Sequence, residues 1–314
     1  MNSVKKYLSL IKFSHTIFAL PFAVIGFCIA AKQPIYNWLA ANFSKSLPPV
    51  QPVQLNTSAN PYQLTIFQLF LLVVLCMVFA RSAAMAFNRY LDKNFDAKNP
   101  RTAIREIPSG LIKANHALLF TIVNCMLFIL CCWFINRLCF YLSFVALFVI
   151  LFYSYTKRFT ALCHLVLGVG LSLAPIGAYL AVTGTFDVLP VLFSFTVLCW
   201  VSGFDIIYAL QDEAFDKQHN LHSIPAAVGK AKALRISELL HVFAAIFVIV
   251  AGIYGEFGWW YWTGVAVFCG MLVYQHSIVK PTDLHRVNIA FMTANGIASV
   301  VFALFVLLDL FIIK

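Results

Sequence analysis

Residues 64–96 read LTIFQLFLLVVLCMVFARSAAMAFNRYLDKNFD. The stretch from Leu64 to Ala86 is apolar apart from Gln68, Arg81 and a few small residues, and a bilayer-spanning helix needs about 20 such residues. Directly after it come Asn88, Asp92 and Asp96, four residues apart. At 3.6 residues per turn these three positions fall on nearly one helical face. A membrane helix that ends in a row of acids is the pattern from which the rest of the chain can be read.

The composition agrees. The 314 residues are 62% hydrophobic and 11% charged, with a mean hydropathy of +0.87. Soluble domains run at about 45–50% apolar and about 25% charged, so a water-soluble enzyme, a disordered chain and a disulfide-rich secreted module are excluded. Nine apolar segments mark out an all-α, polytopic membrane protein of nine transmembrane helices: 13–31, 64–86, 115–135, 138–155, 161–183, 188–210, 236–254, 259–278 and 288–312. The ten-residue alternation of an outer-membrane barrel is missing. The first segment follows Lys5, Lys6 and Lys12 like a signal peptide, but it contains Pro21 and no A-x-A site, so it reads as an uncleaved span.

With nine spans, all but four of the 22 basic residues (Lys32, Lys45, Arg137 and Lys314) lie on the side of the N-terminus. That side is expected to be cytoplasmic, in a cell inner membrane. The net charge of +10 is therefore read as basic loops held beside the bilayer, and no nucleic-acid partner is implied. One domain covers 1–314, with a Pro-rich flexible outer loop at 32–63 and cytoplasmic loops at 87–114 and 211–235. The nine cysteines form no CxxC pair and no metal-ligand spacing, and they read as small apolar packers.

A second acidic run, Tyr208-Ala-Leu-Gln-Asp212-Glu-Ala-Phe-Asp216, echoes the first in the frame [N/Y]-x3-D-x3-D. Both runs end a membrane segment on the same side. Two acidic faces brought together repel unless cations sit between them, and hard carboxylate oxygens suit Mg2+ that also carries substrate phosphates. Arg101 and Arg105 follow the first motif, Lys217 follows the second, and Lys157 and Arg158 end the fourth span on the same side. Guanidinium groups grip phosphate oxygens in pairs and lysine adds a point charge.

At NRYLDKNFDAKNPRTAIREIPSG (88–110), YTKRFT (155–160) and GFDIIYALQDEAFDKQHNLHSIPAAVG (203–229) the chain resembles the UbiA superfamily of intramembrane aromatic prenyltransferases, most closely those acting on 4-hydroxybenzoate. The resemblance implies a helical bundle around a central cavity open to the cytoplasmic side. It implies transfer of a polyprenyl group from polyprenyl diphosphate to a small aromatic acid in quinone biosynthesis, within the lipid bilayer. By the same resemblance Asn88, Asp92 and Asp96 bind one Mg2+ and Asp212 and Asp216 a second. Asp205 and Tyr208 line the cavity, and Arg101, Arg105, Lys157 and Arg158 stand near the diphosphate. Arg89 replaces an acid common in the family's first motif. Tyr208-Ala-Leu-Gln211 stands where the haem farnesyltransferases resembling this pattern carry histidine. A naphthoate-type acceptor of a menaquinone pathway has similar needs, and an acceptor carboxylate calls for a cation such as Lys12, His15 or Arg81. A secondary transporter is the competing class, but its acids usually sit at the bilayer midplane in broken helices. Here they gather at helix ends.

Overall fold

The apolar run from Ile66 does not stop at the membrane edge. In the computed structural model, which describes residues 3–11, 18–43 and 60–312, helix α4 spans Ile66–Lys98 without a break. Its start is a capping box: the Thr65 hydroxyl accepts from the Gln68 backbone, and the Gln68 side chain accepts from the Thr65 backbone. The acidic stretch holds no glycine or proline, and the chain turns only at Asn99, the residue before Pro100, where the proline ring disfavours a further helical turn. The first motif, expected in a loop over 87–114, therefore sits on the last turns of a rigid helix, and only the part after Lys98 is loop.

Before it lie the short helix α1 (Ser3–Leu10), α2 (Leu20–Ala30) and α3 (Lys32–Phe43). Helix α3 corrects the expectation of a flexible loop from residue 32: Pro34 falls in its first turn, where the missing N–H costs nothing. The remainder of that expected loop, 44–59, lies outside the described residues. After α4 the chain forms α5 (Ala114–Ile135), α6 (Arg137–Thr156), α7 (Cys163–Thr183) and α8 (Val188–Ala209). The expected 211–235 loop is instead a 3-10 turn (Leu210–Asp212), α9 (Glu213–Gln218), α10 (Ile224–Val228) and the start of α11 (Lys230–Tyr254). Then come α12 (Trp259–Ile278), a π-helical turn (Ile289–Ala294) and α13 (Asn295–Phe311). Among the described residues there is no strand, only a single bridge between Lys280 and Asp283.

Seven of these helices are long and apolar enough to cross a membrane. Of the first expected span, 13–31, residues 13–17 lie outside the described residues and the rest contains the 11-residue α2; the eighth, the 20-residue α12, is not among the seven. The protein is thus an all-helical, multi-pass membrane protein.

The bundle has two unlike halves. One is solid: Phe22 of α2, Phe193 and Trp200 of α8, Tyr261 and Phe268 of α12 and Phe302 of α13 are fully buried against one another. Their rings meet at 5.4–6.5 Å between centroids, and each such pair contributes about 0.5–1.5 kcal/mol beyond area burial. Lipid tails are as apolar as leucine, so close approach matters more here than exclusion of water. Gly26 shows it: a Cβ there would stand 2.1 Å from the Pro175 carbonyl oxygen, so α2 and α7 touch backbone to backbone. The other half, formed by α4, α5, α6 and α7, surrounds a cavity of about 780 Å3.

Candidate active site

The cavity is apolar along most of its length, with walls that include Val73, Met77, Phe128, Leu142 and Ala174. At one end it becomes polar, where Asn88, Arg89, Arg101, Arg105, Glu106, Asp205 and Tyr208 line it. This end is built by the C-terminal turns of α4 and α8, with the ends of α6 and α7 beside them.

Four-residue spacing stacks the first motif along α4. The Asn88 amide donates to Asp92 at 3.1 Å. Arg158, just past the end of α6, donates to the same carboxylate at 3.2 Å and to the Leu91 carbonyl at 2.9 Å. One turn on, Asp96 is buried and takes Arg105 at 2.6 Å, with the buried Arg89 at 3.9 Å. The Thr102 hydroxyl satisfies the Asp96 carbonyl at 3.1 Å, which folds the loop back over the helix end.

The second motif is less regular than its frame suggests. The 3-10 turn tightens the chain between Tyr208 and Asp212, so only Asp212 and Asp216 keep the four-residue step. Arg101, from the loop after the first motif, grips Asp212 with two nitrogens at 3.1 and 2.5 Å and donates to the Tyr208 hydroxyl at 2.9 Å. Asn99 adds a donor to Asp212 at 3.2 Å. Asp216, with no exposed surface, is paired to Lys157 at 2.8 Å and accepts from Ser223 at 2.8 Å. Burial works against the Lys157 ammonium, but the charge and hydrogen bond of Asp216 outweigh it and hold its pKa above the usual lysine value. Arg101 is held up in the same way against burial by Asp212 and Tyr208.

Each of the four motif aspartates thus carries its own cation: Asp92 with Arg158, Asp96 with Arg105, Asp212 with Arg101 and Asp216 with Lys157. These pairs stitch the ends of α4, α6 and α8 together. Asn88, Arg101, Arg105, Asp205 and Tyr208 reach the cavity, whereas the four aspartates do not line it; Asp96 and Asp212 stand behind Arg105 and Arg101, which do. Among the described residues no three carboxylate, histidine or cysteine side chains converge on one point. Lys217 is not drawn in: it pairs with Glu213 at 2.7 Å on an exposed face. Lys12 and His15 lie outside the described residues.

At this end His164 and Glu106 were not singled out from the sequence, whereas Arg81 and Arg89 were. His164, in the first turn of α7, holds Asp205 at 2.7 Å, and no spacing across 41 residues announces that pair. Glu106 accepts from Ser9 through one oxygen, while its other oxygen is buried without a partner. The Nε atoms of Arg81 and Arg89 are buried without a partner as well. Arg81 lines the cavity, and no carboxylate pairs with it among the described residues. Tyr208 is steadied from behind by Phe291, ring centroids 4.3 Å apart.

Residues 56–304 match the model of the UbiA prenyltransferase family. The chain is similar to the 4-hydroxybenzoate octaprenyltransferase of Nitrosospira multiformis, 30% identical over 235 residues, covering 75% of this chain and 81% of that one. It is 28% identical over 231 residues to the enzyme of the same name from Francisella tularensis subsp. novicida, covering 74% and 81%. Its fold is similar to the apo structure of a UbiA homologue from Aeropyrum pernix K1, with a TM-score of 0.72, 25% identity and coverage of 93% and 95%. A UbiA homologue from Archaeoglobus fulgidus bound to GPP and Mg2+ has the same fold at a TM-score of 0.68 and 18% identity, covering 97% and 99%. A helical membrane bundle, a one-ended polar cavity and a family match over most of the chain lead to one assignment: the chain belongs to the UbiA prenyltransferase family and is a prenyltransferase.

Proposed function

We propose that the protein transfers a polyprenyl group from polyprenyl diphosphate to 4-hydroxybenzoate, at the ring carbon ortho to the hydroxyl, using Mg2+. We place the site at the cytoplasmic face of a cell inner membrane, with the N-terminus on that side. The observation that carries the reading is the set of four aspartate–cation pairs, two of whose arginines, Arg101 and Arg105, line the polar end of an apolar cavity.

The residues fit the metal by the chemistry of their donors. Asn88, Asp92, Asp96, Asp212 and Asp216 offer hard oxygens, the kind Mg2+ takes. Bound there, Mg2+ supplies charge neutralisation for the departing diphosphate. Arg101 and Arg105 both hold an acid and face the cavity, so they are placed to grip diphosphate oxygens, and Lys157 and Arg158 add charge from behind. The apolar wall keeps water from the allylic cation, and Tyr208 and Tyr153 are aromatic groups on that wall. Arg81 would meet the acceptor carboxylate. A guanidinium in a membrane cavity is costly when uncompensated, and an aromatic acid brings the missing charge.

The test is a transfer assay on membranes carrying the protein, with octaprenyl diphosphate and 4-hydroxybenzoate. Product should form with Mg2+ and vanish in excess chelator. Arg81→Met should raise KM for 4-hydroxybenzoate about 10- to 100-fold, the worth of a charged hydrogen bond, and leave KM for the diphosphate alone. Absent product, full turnover in chelator, or preference for a dihydroxynaphthoate acceptor would each overturn part of the reading.

A further inference from the structure

Most glycines in the bundle are explained by packing. A Cβ on Gly26, Gly168 or Gly203 would stand 2.1–2.3 Å from a neighbouring atom. Gly177 of α7 differs. A Cβ built there meets nothing within 4 Å, and the residue lines the cavity. No neighbour requires a glycine at that point, and in a helix glycine is less favourable than alanine. Its cavity face is shared by Gly170, Ala174 and Ala181, one helical stripe at steps of three, four and seven. Gly170 would put a Cβ only 3.5 Å from the Ile150 side chain, an ordinary contact. At the polar end of the same cavity Arg89 and Glu106, both buried, keep Nε and Oε2 without partners.

Helix α7 also supplies a scale. It starts at the polar end, where His164 holds Asp205, and rises about 1.5 Å per residue. Gly170 and Gly177 therefore lie about 9 and about 20 Å along it. An extended chain advances about 1.2 Å per bond, so an isoprene unit of four chain bonds covers about 5 Å. Gly170 stands beside about the second unit of a tail laid along α7 and Gly177 beside about the fourth.

We infer that Gly177, with Gly170 nearer the mouth, is a chain-length determinant: the missing side chains keep the cavity open for a prenyl tail longer than about four units. The inference rests on the transferase reading above. A bulky residue at Gly177 closes the path beyond the fourth unit, and one at Gly170 closes it beyond the second.

The experiment compares donors. In Gly177→Phe, transfer from geranyl diphosphate, whose two units stop short of the site, should stay within about twofold of wild type. Transfer from octaprenyl diphosphate should fall about a hundredfold or more in kcat/KM, since each methylene kept off the apolar wall is worth about fourfold. Gly170→Phe should already impair geranyl transfer and spare dimethylallyl. Retained short-donor turnover shows that the variant is folded. A second variant, Gly177→Cys, should be protected from maleimide by octaprenyl diphosphate and not by geranyl diphosphate, read against the wild-type background. Undiminished octaprenyl transfer in Gly177→Phe, or equal protection by both donors, would mean that the tail leaves by another route and would overturn the inference. A wild type that uses neither donor would overturn the transferase reading and this inference with it.

Discussion

Asp212 and Asp92 are both tied to arginines, but in different ways. Asp212 is gripped by two nitrogens of Arg101, while Asp92 meets a single nitrogen of Arg158. Asp92→Asn and Asp212→Asn should each lower kcat about 10²–10³-fold, the usual cost of losing one electrostatic stabiliser of a developing charge. If both motifs serve one diphosphate, the double variant will be much less impaired than the product of the singles, as for residues acting as a unit. Strictly multiplicative losses would mean two independent sites. Lys157 invites a stability test. Removing it leaves Asp216 buried and unpaired, with Ser223 as its remaining donor. Lys157→Met should cost about 2–3 kcal/mol, less than a fully buried pair because the lysine keeps 35% of its side chain exposed. Since the Lys157 pKa is raised, the pair contributes fully below the ordinary lysine pKa and is lost only as pH climbs through the raised value. Wild-type unfolding should show no step from this pair across the neutral range, and a fall there in detergent melting curves would contradict it.

At the level of elements, the π-helical turn ahead of α13 explains how Tyr208 is held. A π turn leaves carbonyls without their usual helical partners. Asn295 answers two of them: its amide donates to the Ala290 carbonyl at 3.1 Å and the Phe291 carbonyl at 3.0 Å. Its oxygen accepts from Trp200 and Gln275, each at 2.8 Å. Asn295 thus joins α8, α12 and α13, and fixes Phe291 where it packs against Tyr208. Asn295→Ala should destabilise the protein by about 1–3 kcal/mol, the cost of leaving buried donors unmet. It should also loosen the Tyr208–Arg101 contact and lower kcat without abolishing metal dependence. Unchanged melting temperature and turnover would show that the π turn stands without this network.

For the whole molecule, the ion pairs require that the ends of α4, α6 and α8 share one face of the bundle. Single cysteines at Asn94 and Ala214 should therefore react with an impermeant maleimide from the same side of the membrane, which the proposed topology makes cytoplasmic. Labelling of the two from opposite sides would break the shared site; labelling of both from outside only would invert the topology. The bundle's asymmetry also separates stability from activity. Core changes in the aromatic half around Trp200 should melt the protein, whereas changes on the cavity wall should alter donor choice.

Membrane location, helical class and the two acidic motifs were legible in the order of residues, because hydropathy, charge and four-residue spacing are properties of a single strand of text. The reach of α4 through its acids was written there too, in the proline that ends it. Which acid meets which cation was not. Arg101 and Asp212 are 111 residues apart, and their pairing depends on how three helix ends are packed. The same holds for the His164–Asp205 pair, the uncompensated Arg81, the Lys217 that turns away, and the open face of Gly177. A glycine in a helix looks alike on paper whether a neighbour or a cavity lies beside it. Only packing decides between them, because side-chain space is set by residues far away in the chain.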